Sequence, residues 1–341
     1  MNKGKQEGFW MKNQRDPTLE CSIGILAYNE EANIGTLLDA LLKQNLEGCN
    51  IQEIIVVASG CTDKTERIVR DFCERDPRIK LLVQQQREGK ASAINLFLQE
   101  AKADILVLES ADTIPSRNAI KNLLRPFSDP GIGMTGARPR PINNLKTFMG
   151  YATHFLWWMH HYLALTRPKL GELVAFRNIL ERIPPDTAVD EASIEAIITR
   201  AGYQTCYVQD AIVRNKGPET VKDYLIQRRR IIAGHKHLKK TQGYLVASTD
   251  IHLILTILAE KLHLHLKTVL RLIRQRRFYH LTTYIYLHLR RAFYITGAIV
   301  IEIVGYGLGA YDFYIKKKNP FIWDIASSTK KLSEPSKFDL S

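Results

Sequence analysis

Residues 21–31 read CSIGILAYNEE, seven small and apolar residues that give way at Tyr28 to Asn29-Glu30-Glu31. An unbroken apolar run that ends at polar residues is the pattern of a strand buried on both faces. The following stretch, 33–44, carries Ile34, Leu37, Leu38, Leu41 and Leu42 at helical spacing. The same alternation recurs three times. EIIVVA at 53–58 precedes a helical pattern at 63–73, a third apolar run at 79–83 precedes one at 90–101, and DILVLE at 104–109 precedes one at 117–124. Strands alternating with single helices predict a parallel, doubly wound α/β sheet. In such a sheet ligands bind beyond the carboxyl ends of the strands, so chemistry is expected there. Further on, 151–165 is an aromatic helical stretch, 190–201 a second helix and 205–208 a short strand. No internal repeat or low-complexity tract is visible. Near Gly243 the pattern changes to long helices with few turn signals. The expected division is an N-terminal arm at 1–20, an α/β domain at 21–243 and a helical, basic region with a polar tail at 244–341.

Each strand end carries a polar loop. After the first come Asn29 and Glu30, residue types that also cap helices. After the second comes Ser59-Gly60-Cys61-Thr62-Asp63, a small-residue loop opening a helix, a form that suits phosphate or nucleotide. The third leads to Gly89-Lys90, where glycine permits close approach and lysine supplies a point charge. The fourth leads to Glu109-Ser110-Ala111-Asp112, carboxylates placed where a divalent metal bridges a diphosphate.

In order and spacing, these four segments resemble the nucleotide-sugar half of family 2 glycosyltransferases of the GT-A fold. Three later segments extend the likeness. GELVAFR at 171–177 resembles the acceptor-side strand. Asp190-Glu191, followed by Gly202-Tyr203, resembles the catalytic helix. Gln227-Arg228-Arg229-Arg230 resembles the Gln-x-x-Arg-Trp motif of a membrane-associated subset. The resemblance implies inverting transfer from a UDP- or GDP-sugar, with Glu191 or Asp190 as the base and Asp112 holding Mn²⁺ or Mg²⁺. It also implies donor contacts from Ala27, Asn29, Glu30, Ser59, Asp63, Lys90, Ser110, Gln227 and Arg230. The sequence departs from the family's pattern at four points. Ala58 stands where an Asp usually holds uracil, which passes base recognition to Glu30 or Asp63. Ser110 replaces the first Asp of Asp-x-Asp, the catalytic pair is inverted, and Ile231 replaces the closing Trp. Glu109 lies on the opposite strand face from Ser110 and serves as a ligand only if the strand ends there.

Charge sorts the partners. Lys and Arg number 48 against 35 Asp and Glu, a net charge of +13. Residues 216–291 hold 16 Lys/Arg against four acids, so nearly all of the excess lies there, along with seven of the ten His. A mean hydropathy of −0.17 excludes a polytopic membrane protein but not one embedded segment. In 253–274, Leu255, Leu258, Leu262, Leu266, Val269 and Ile273 form an apolar face opposite Lys267, Arg271 and Arg274, as suits an anionic membrane surface. Residues 292–314 lack Lys and Arg and approach the length of a bilayer span. Glu302 and Gly297, Gly305, Gly307 and Gly309 interrupt them, which favours an embedded or re-entrant segment. The tail at 323–331 is expected to fold back toward the active site. Five dispersed cysteines and an N-terminus without an apolar core point to a reducing compartment and no secretory signal. The expected acceptor is a lipid or lipid-linked molecule at the cytoplasmic face of a membrane. Nucleic acid is not expected, because the basic stretch interleaves Leu and Ile rather than stacking aromatics. Two competing readings are a degenerate, non-catalytic relative and a sugar-phosphate nucleotidyltransferase, although the latter's Gly-rich, basic loop is absent after the first strand.

Overall fold

The computed structural model describes residues 18–275, 278–322 and 327–329. The first half builds as the apolar runs dictate. Strands β1 (Leu19–Ala27), β2 (Cys49–Ser59), β3 (Ile79–Gln84) and β4 (Ile105–Ser110) pair in parallel, and helices α1 (Ile34–Leu42), α2 (Thr65–Arg75) and α3 (Lys90–Glu100) connect them. Successive residues of β2 serve opposite faces. Ile54 and Val56 pack with α1 and α2 around Leu37, Leu41 and Phe72, whereas Ile55 and Val57 pack with α3 around Ile94 and Phe97. Burial on both faces is why these strands are apolar throughout rather than alternating.

Beyond β4 the sheet departs from the parallel expectation. Three further helices and four strands follow: β5 (Thr113–Pro115), α4 (Ala119–Leu124), β6 (Ile132–Pro141), α5 (Phe148–Thr166), β7 (Leu173–Arg177), α6 (Asp190–Arg200) and β8 (Gln204–Asn215). The eight-stranded order is β3-β2-β1-β4-β7-β6-β8-β5. Strand β7 runs antiparallel to both β4 and β6, while β6 and β8 pair in parallel and β5 runs antiparallel to β8, so the sheet is uniformly parallel only from β3 to β4. Strand β6 (IGMTGARPRP) escapes the sequence pattern because two prolines and two glycines weaken its strand signal. Strand β8 is longer than its apolar centre suggests, since its later residues pair with β5 and β6.

The helices that follow are α7 (Val221–Gln242), closed by Gly243 at φ 68, α8 (Ile251–Arg274) and α9 (Phe278–Tyr314). Helix α9 is continuous through all four glycines. At three of them a neighbouring element comes too close for a side chain. A Cβ on Gly297 would lie 2.7 Å from the Phe148 ring, one on Gly305 would lie 2.9 Å from Arg228 Cβ, and one on Gly309 2.8 Å from Ile232 Cβ. These glycines are the contact face of α9 against α5 and α7, not interruptions. The acids of α9 lie on the same side. Glu302 pairs with Arg228 and accepts from the Tyr224 hydroxyl at 2.8 Å, and Asp312 takes Arg229 in a two-point contact at 2.7 and 2.8 Å. The opposite side is apolar and exposed, with Phe293 75% and Ile303 65% accessible, and α8 likewise exposes Leu255, Leu262 and Leu270. Ala292–Tyr314 is long and apolar enough to cross a membrane by length and composition, and only 17% of it is buried.

Two features of the core are directly testable. Gly24 in β1 lies beneath the Phe97 ring, and a Cβ there would sit 2.7–2.8 Å from ring carbons. Gly24→Ala is expected to cost about 1–3 kcal/mol in urea unfolding with an unchanged m-value, and Phe97→Leu to recover part of that loss. An unchanged midpoint would contradict this packing. On α6, burial lifts the Glu195 carboxyl from 4.5 to about 7, against the Tyr244 hydrogen bond and the Lys169 and Arg167 charges. The folded chain therefore holds this proton more tightly than the unfolded one, and stability is lost as pH rises from about 4.5 to about 7. Glu195→Gln should be nearly neutral at pH 5 and stabilising by up to about 3 kcal/mol at pH 8. Equal effects at both pH values would contradict it.

Candidate active site

A cleft of about 1230 Å³ opens at the carboxyl ends of β1, β2 and β4, where a doubly wound half-sheet places its ligands. The β1 and β2 loops brace one another. Asn29, at φ 52, accepts from Thr62 N at 2.8 Å and donates to Thr62 Oγ1. Asp63 accepts from Glu31 N and from Thr65, and Glu30 N donates to Thr65 Oγ1 at 2.7 Å. Burial pushes the Asp63 carboxyl up, but these hydrogen bonds outweigh it and hold it below its ordinary value. Asn29 and Asp63 thus tie loops together and are not among the residues lining the cleft, whereas Ala27, Glu30 and Ser59 line it. Ala58 is fully buried inside β2. Gly60, at φ 62, has no room for a Cβ, which would meet Arg87 N at 2.7 Å. That close approach sets the Arg87 guanidinium 4.3 Å over the Tyr28 ring at the cleft wall.

The end of β4 separates two carboxylates. Strand β4 runs to Ser110, so Glu109 points into the core, 1% exposed, and takes a hydrogen bond from Thr113 Oγ1. Burial raises its pKa well above the usual carboxylate range. Ser110 and Asp112 line the cleft and Glu109 does not. Across the cleft, at the start of β7, stands Glu172, a residue not singled out from the sequence. Its backbone is left-handed at φ 64, and its carboxyl is lifted to about 7 by burial, then by the charges of Asp112 and Glu191, against Lys90 and Asn215. A charged residue between a glycine and a strand is a weak signal, and only the fold shows that it faces Asp112.

The first turn of α6 supplies Asp190 and Glu191, and α3 begins at Lys90. The Lys90 ammonium lies 2.6 Å from Asp190 Oδ2 and 2.9 Å from Glu191 Oε1. Burial would discharge Lys90, but the two carboxylates outweigh it and raise its pKa. Burial and the neighbouring Glu191 charge raise Asp190. Glu191, though also lifted by burial, is held below its usual range by Lys90 and Arg230. From α7, Gln227 and Arg230 line the cleft, and the Arg230 guanidinium faces Asp190, Glu191, Glu172 and Asp112, with burial drawing its pKa down. The three consecutive arginines therefore take different partners: Arg228 and Arg229 pair with Glu302 and Asp312 of α9, and Arg230 faces the cleft carboxylates.

The remaining walls come from elsewhere. Trp157 and His160 of α5 line the cleft, whereas His161 meets the Tyr207 hydroxyl at 2.9 Å. Lys318, Asn319 and Thr329 line it too, with Asn319 Nδ2 bound to Asp186 O at 2.7 Å and Ser328 Oγ to Asp223 Oδ2 at 2.5 Å. The chain after α9 thus returns to the cleft, although Trp323, Lys330 and Lys331 lie outside the described residues.

Oxygen ligands fit a hard divalent cation. Among the described residues no cluster of three or more His, Cys, Asp or Glu is placed to enclose an ion, and Asp112 with Glu172 are the carboxylates that face each other. One or two carboxylates, completed by phosphate oxygens and water, is the usual protein share of a Mg²⁺ or Mn²⁺ site at a diphosphate.

Comparison with known proteins agrees with this architecture. The family model described as "Glycosyl transferase family 2" matches residues 22–197, just over half of the chain. A probable glycosyltransferase, YdaM of Bacillus subtilis, is 27% identical over 246 residues, covering 67% of this chain and 58% of that protein. The mouse dolichyl-phosphate beta-glucosyltransferase is 22% identical over 162 residues, covering 42% of this chain and 50% of that protein. The chain thus spans between half and three-fifths of the length of these relatives. The mannosyltransferase PcManGT of Pyrobaculum calidifontis, solved with GDP-Man and Mn²⁺, shares its fold at a TM-score of 0.55 and 22% identity, covering 84% of this chain and 88% of that one. With the mixed GT-A sheet, the strand-end cleft and the matched model in agreement, the chain belongs to glycosyl transferase family 2.

Proposed function

We propose that the protein transfers a sugar, with inversion, from a UDP- or GDP-sugar to a lipid or lipid-linked acceptor at a membrane surface. The observation that carries this reading is the convergence of Asp112, the Lys90-bound pair Asp190 and Glu191, and Arg230 on one cleft. Inverting displacement needs a base on the acceptor side and positive charge on the leaving side, and no covalent nucleophile. Glu191 suits the base. Its side chain is 23% exposed against 2% for Asp190, and Lys90 keeps it ionised. Asp190, deeper, anchors the ammonium that orients Glu191. Such a base is worth about 10²–10⁴ in rate. Asp112, facing Glu172, would hold Mn²⁺ or Mg²⁺, which when bound neutralises charge on the departing diphosphate. Arg230, amid four carboxylates, is placed to add charge to the same group. Base recognition falls to the Tyr28, Ser59 and Arg87 wall, since Ala58 is buried and Asp63 is engaged in its loop. The names of the mouse relative and of the Pyrobaculum complex support a phosphorylated lipid acceptor and a metal-bound nucleotide sugar.

The membrane part rests on the exposed apolar faces of α8 and α9, far more apolar surface than a water-facing helix pair normally shows. Phe293, Leu262 and Ile303 would enter the interface while the other side of α9 stays locked to α7.

The test is transfer from a panel of UDP- and GDP-sugars, with Mn²⁺ or Mg²⁺, to detergent-solubilised polyprenyl phosphates. Asp112→Asn and Glu191→Gln should each retain the wild-type melting temperature and lose transfer by about 10²-fold or more. An active Glu191→Gln with an inactive Asp190→Asn moves the base to Asp190. Activity in both single variants and in the double variant overturns the assignment. Absence of nucleotide-sugar binding in the wild type favours the degenerate reading that Ser110 and Ala58 suggest.

A further inference from the structure

The cleft is larger than one ligand requires. Its volume of about 1230 Å³ exceeds the roughly 300–1,000 Å³ of a typical small-molecule site, and its walls are of two kinds. The strand ends contribute the polar groups described above. The opposite walls are apolar: Met159 and Leu163 of α5, Ile254 and Leu258 of α8, and Ile299 and Ile303 of α9. Several residues that line the cleft also belong to the exposed apolar surface, namely Ile251 at 68%, Leu255 at 59% and Ile303 at 65% accessibility. The apolar part of the cleft therefore opens where α8 and α9 present their hydrophobic faces.

At the inner end of these walls stands Lys169, in the loop between α5 and β7. Among the described residues no carboxylate lies within ion-pair distance of its ammonium, which also makes no hydrogen bond. The charged and titratable groups around it are Arg228 and His235 on α7, His160 on α5, Glu302 on α9 and Glu195 on α6. Both acids are engaged elsewhere, Glu302 by Arg228 and Tyr224, and Glu195 by Tyr244. Arg228 Nε is buried without a hydrogen-bond partner, and Arg228, His235 and Lys169 all line the cleft. Burial, and then Arg228, push the Lys169 ammonium down to about 8, and His235 is pushed to about 3 and is neutral. The Arg228 N–H, withdrawn from water, is costly unless an acceptor completes it, and the half-buried Lys169 ammonium on the same cleft wall offers an anion a second donor.

We infer that Lys169 and Arg228 form a second anion site, which binds the phosphate headgroup of an amphiphilic acceptor whose hydrocarbon chain lies between α5, α8 and α9. The inference rests on the transferase reading and adds to it the residues that hold the acceptor's phosphate and the route of its chain. A water-soluble acceptor would leave the apolar walls unused, and a neutral lipid would leave the two donors unpaired.

The test is calorimetric binding of dodecyl phosphate, inorganic phosphate and dodecanol to the full chain, with Mn²⁺–GDP and Mn²⁺–UDP titrated in parallel. Wild type should bind dodecyl phosphate at least about tenfold tighter than either partial ligand. Lys169→Met should lose at least about tenfold of that affinity, as expected for removing a charged hydrogen-bond donor, and Lys169→Arg should restore most of it. Lys169→Met removes no hydrogen bond or ion pair of the folded chain, so its melting temperature should not fall. Ile303→Asp should weaken dodecyl phosphate while leaving inorganic phosphate unchanged. Equal dodecyl phosphate affinity in wild type and Lys169→Met overturns the site. Inorganic phosphate binding as tightly as dodecyl phosphate replaces the lipid with free phosphate and overturns the occupant. Mn²⁺–nucleotide affinity should be the same in wild type and Lys169→Met. If neither nucleotide binds to either protein, the transferase reading fails, separately from the result at Lys169.

Discussion

One ammonium holds the two halves of the catalytic domain in register. Lys90 opens α3, which belongs to the parallel half from β3 to β4, and Asp190 and Glu191 open α6, which packs against β6 and β8 in the mixed half. The 2.6 and 2.9 Å contacts between them fix where the α6 carboxylates stand relative to the strand-end loops of the parallel half. Two buried acids side by side would each push the other toward the neutral form. With Lys90 between them the effects separate: Asp190 is raised and Glu191 lowered. One carboxylate is thus kept ionised and partly exposed, and the other becomes a fixed anchor. Without the ammonium both would compete for a single proton and neither position would be defined.

The second organising contact is the fan of arginines on α7. Arg230 faces the carboxylates of the cleft, while Arg228 and Arg229 are taken by Glu302 and Asp312 of α9. A helix with a broad exposed apolar face is therefore bound through ion pairs to a helix that lines the cleft. The glycines of α9 make this possible. A mid-helix glycine costs about 1 kcal/mol relative to alanine, and here that cost is offset by backbone approach close enough for short acidic side chains to reach the arginines.

How much of this was legible in the sequence depends on how local each cause is. Strands β1 to β4 were readable because burial on both faces writes itself as continuous apolar runs, and the helices between them because their apolar residues repeat at helical spacing. Strand β6 was not readable, since its prolines and glycines are tolerated only through neighbours supplied by β7 and β8. Asp112 was marked by the resemblance to the Asp-x-Asp motif, and strand periodicity set Glu109 on the opposite face, where β4 running on to Ser110 leaves it buried. Asn29 and Asp63 sit at the right strand ends but bind the facing loop, a distinction that depends on contacts 32 to 35 residues apart in sequence. Glu172 lies inside the GELVAFR stretch but carries no individual mark there, and nothing in the immediate sequence marks Lys169. Their meaning comes from Asp112 and Arg228, which reach them only through the fold.

The net charge of +13 changes meaning under the same scrutiny. Sixteen basic residues in 216–291 suggest a surface that attracts anions, yet Arg228, Arg229 and Arg230 are all directed inward, two of them to acids that lie beyond that stretch. The cationic surface that reaches water is correspondingly smaller, carried by residues such as Lys239, Lys240, Lys267, Arg271 and Arg274. On the proposed membrane reading, electrostatic attraction of about 1 kcal/mol per basic residue at an anionic surface becomes an aid to orientation. Exposed Leu, Ile and Phe side chains of α8 and α9, at about 1.5–3 kcal/mol for each one fully withdrawn from water, would supply the larger driving force. On that reading the apolar surface, more than the charge, would bring the cleft to its acceptor.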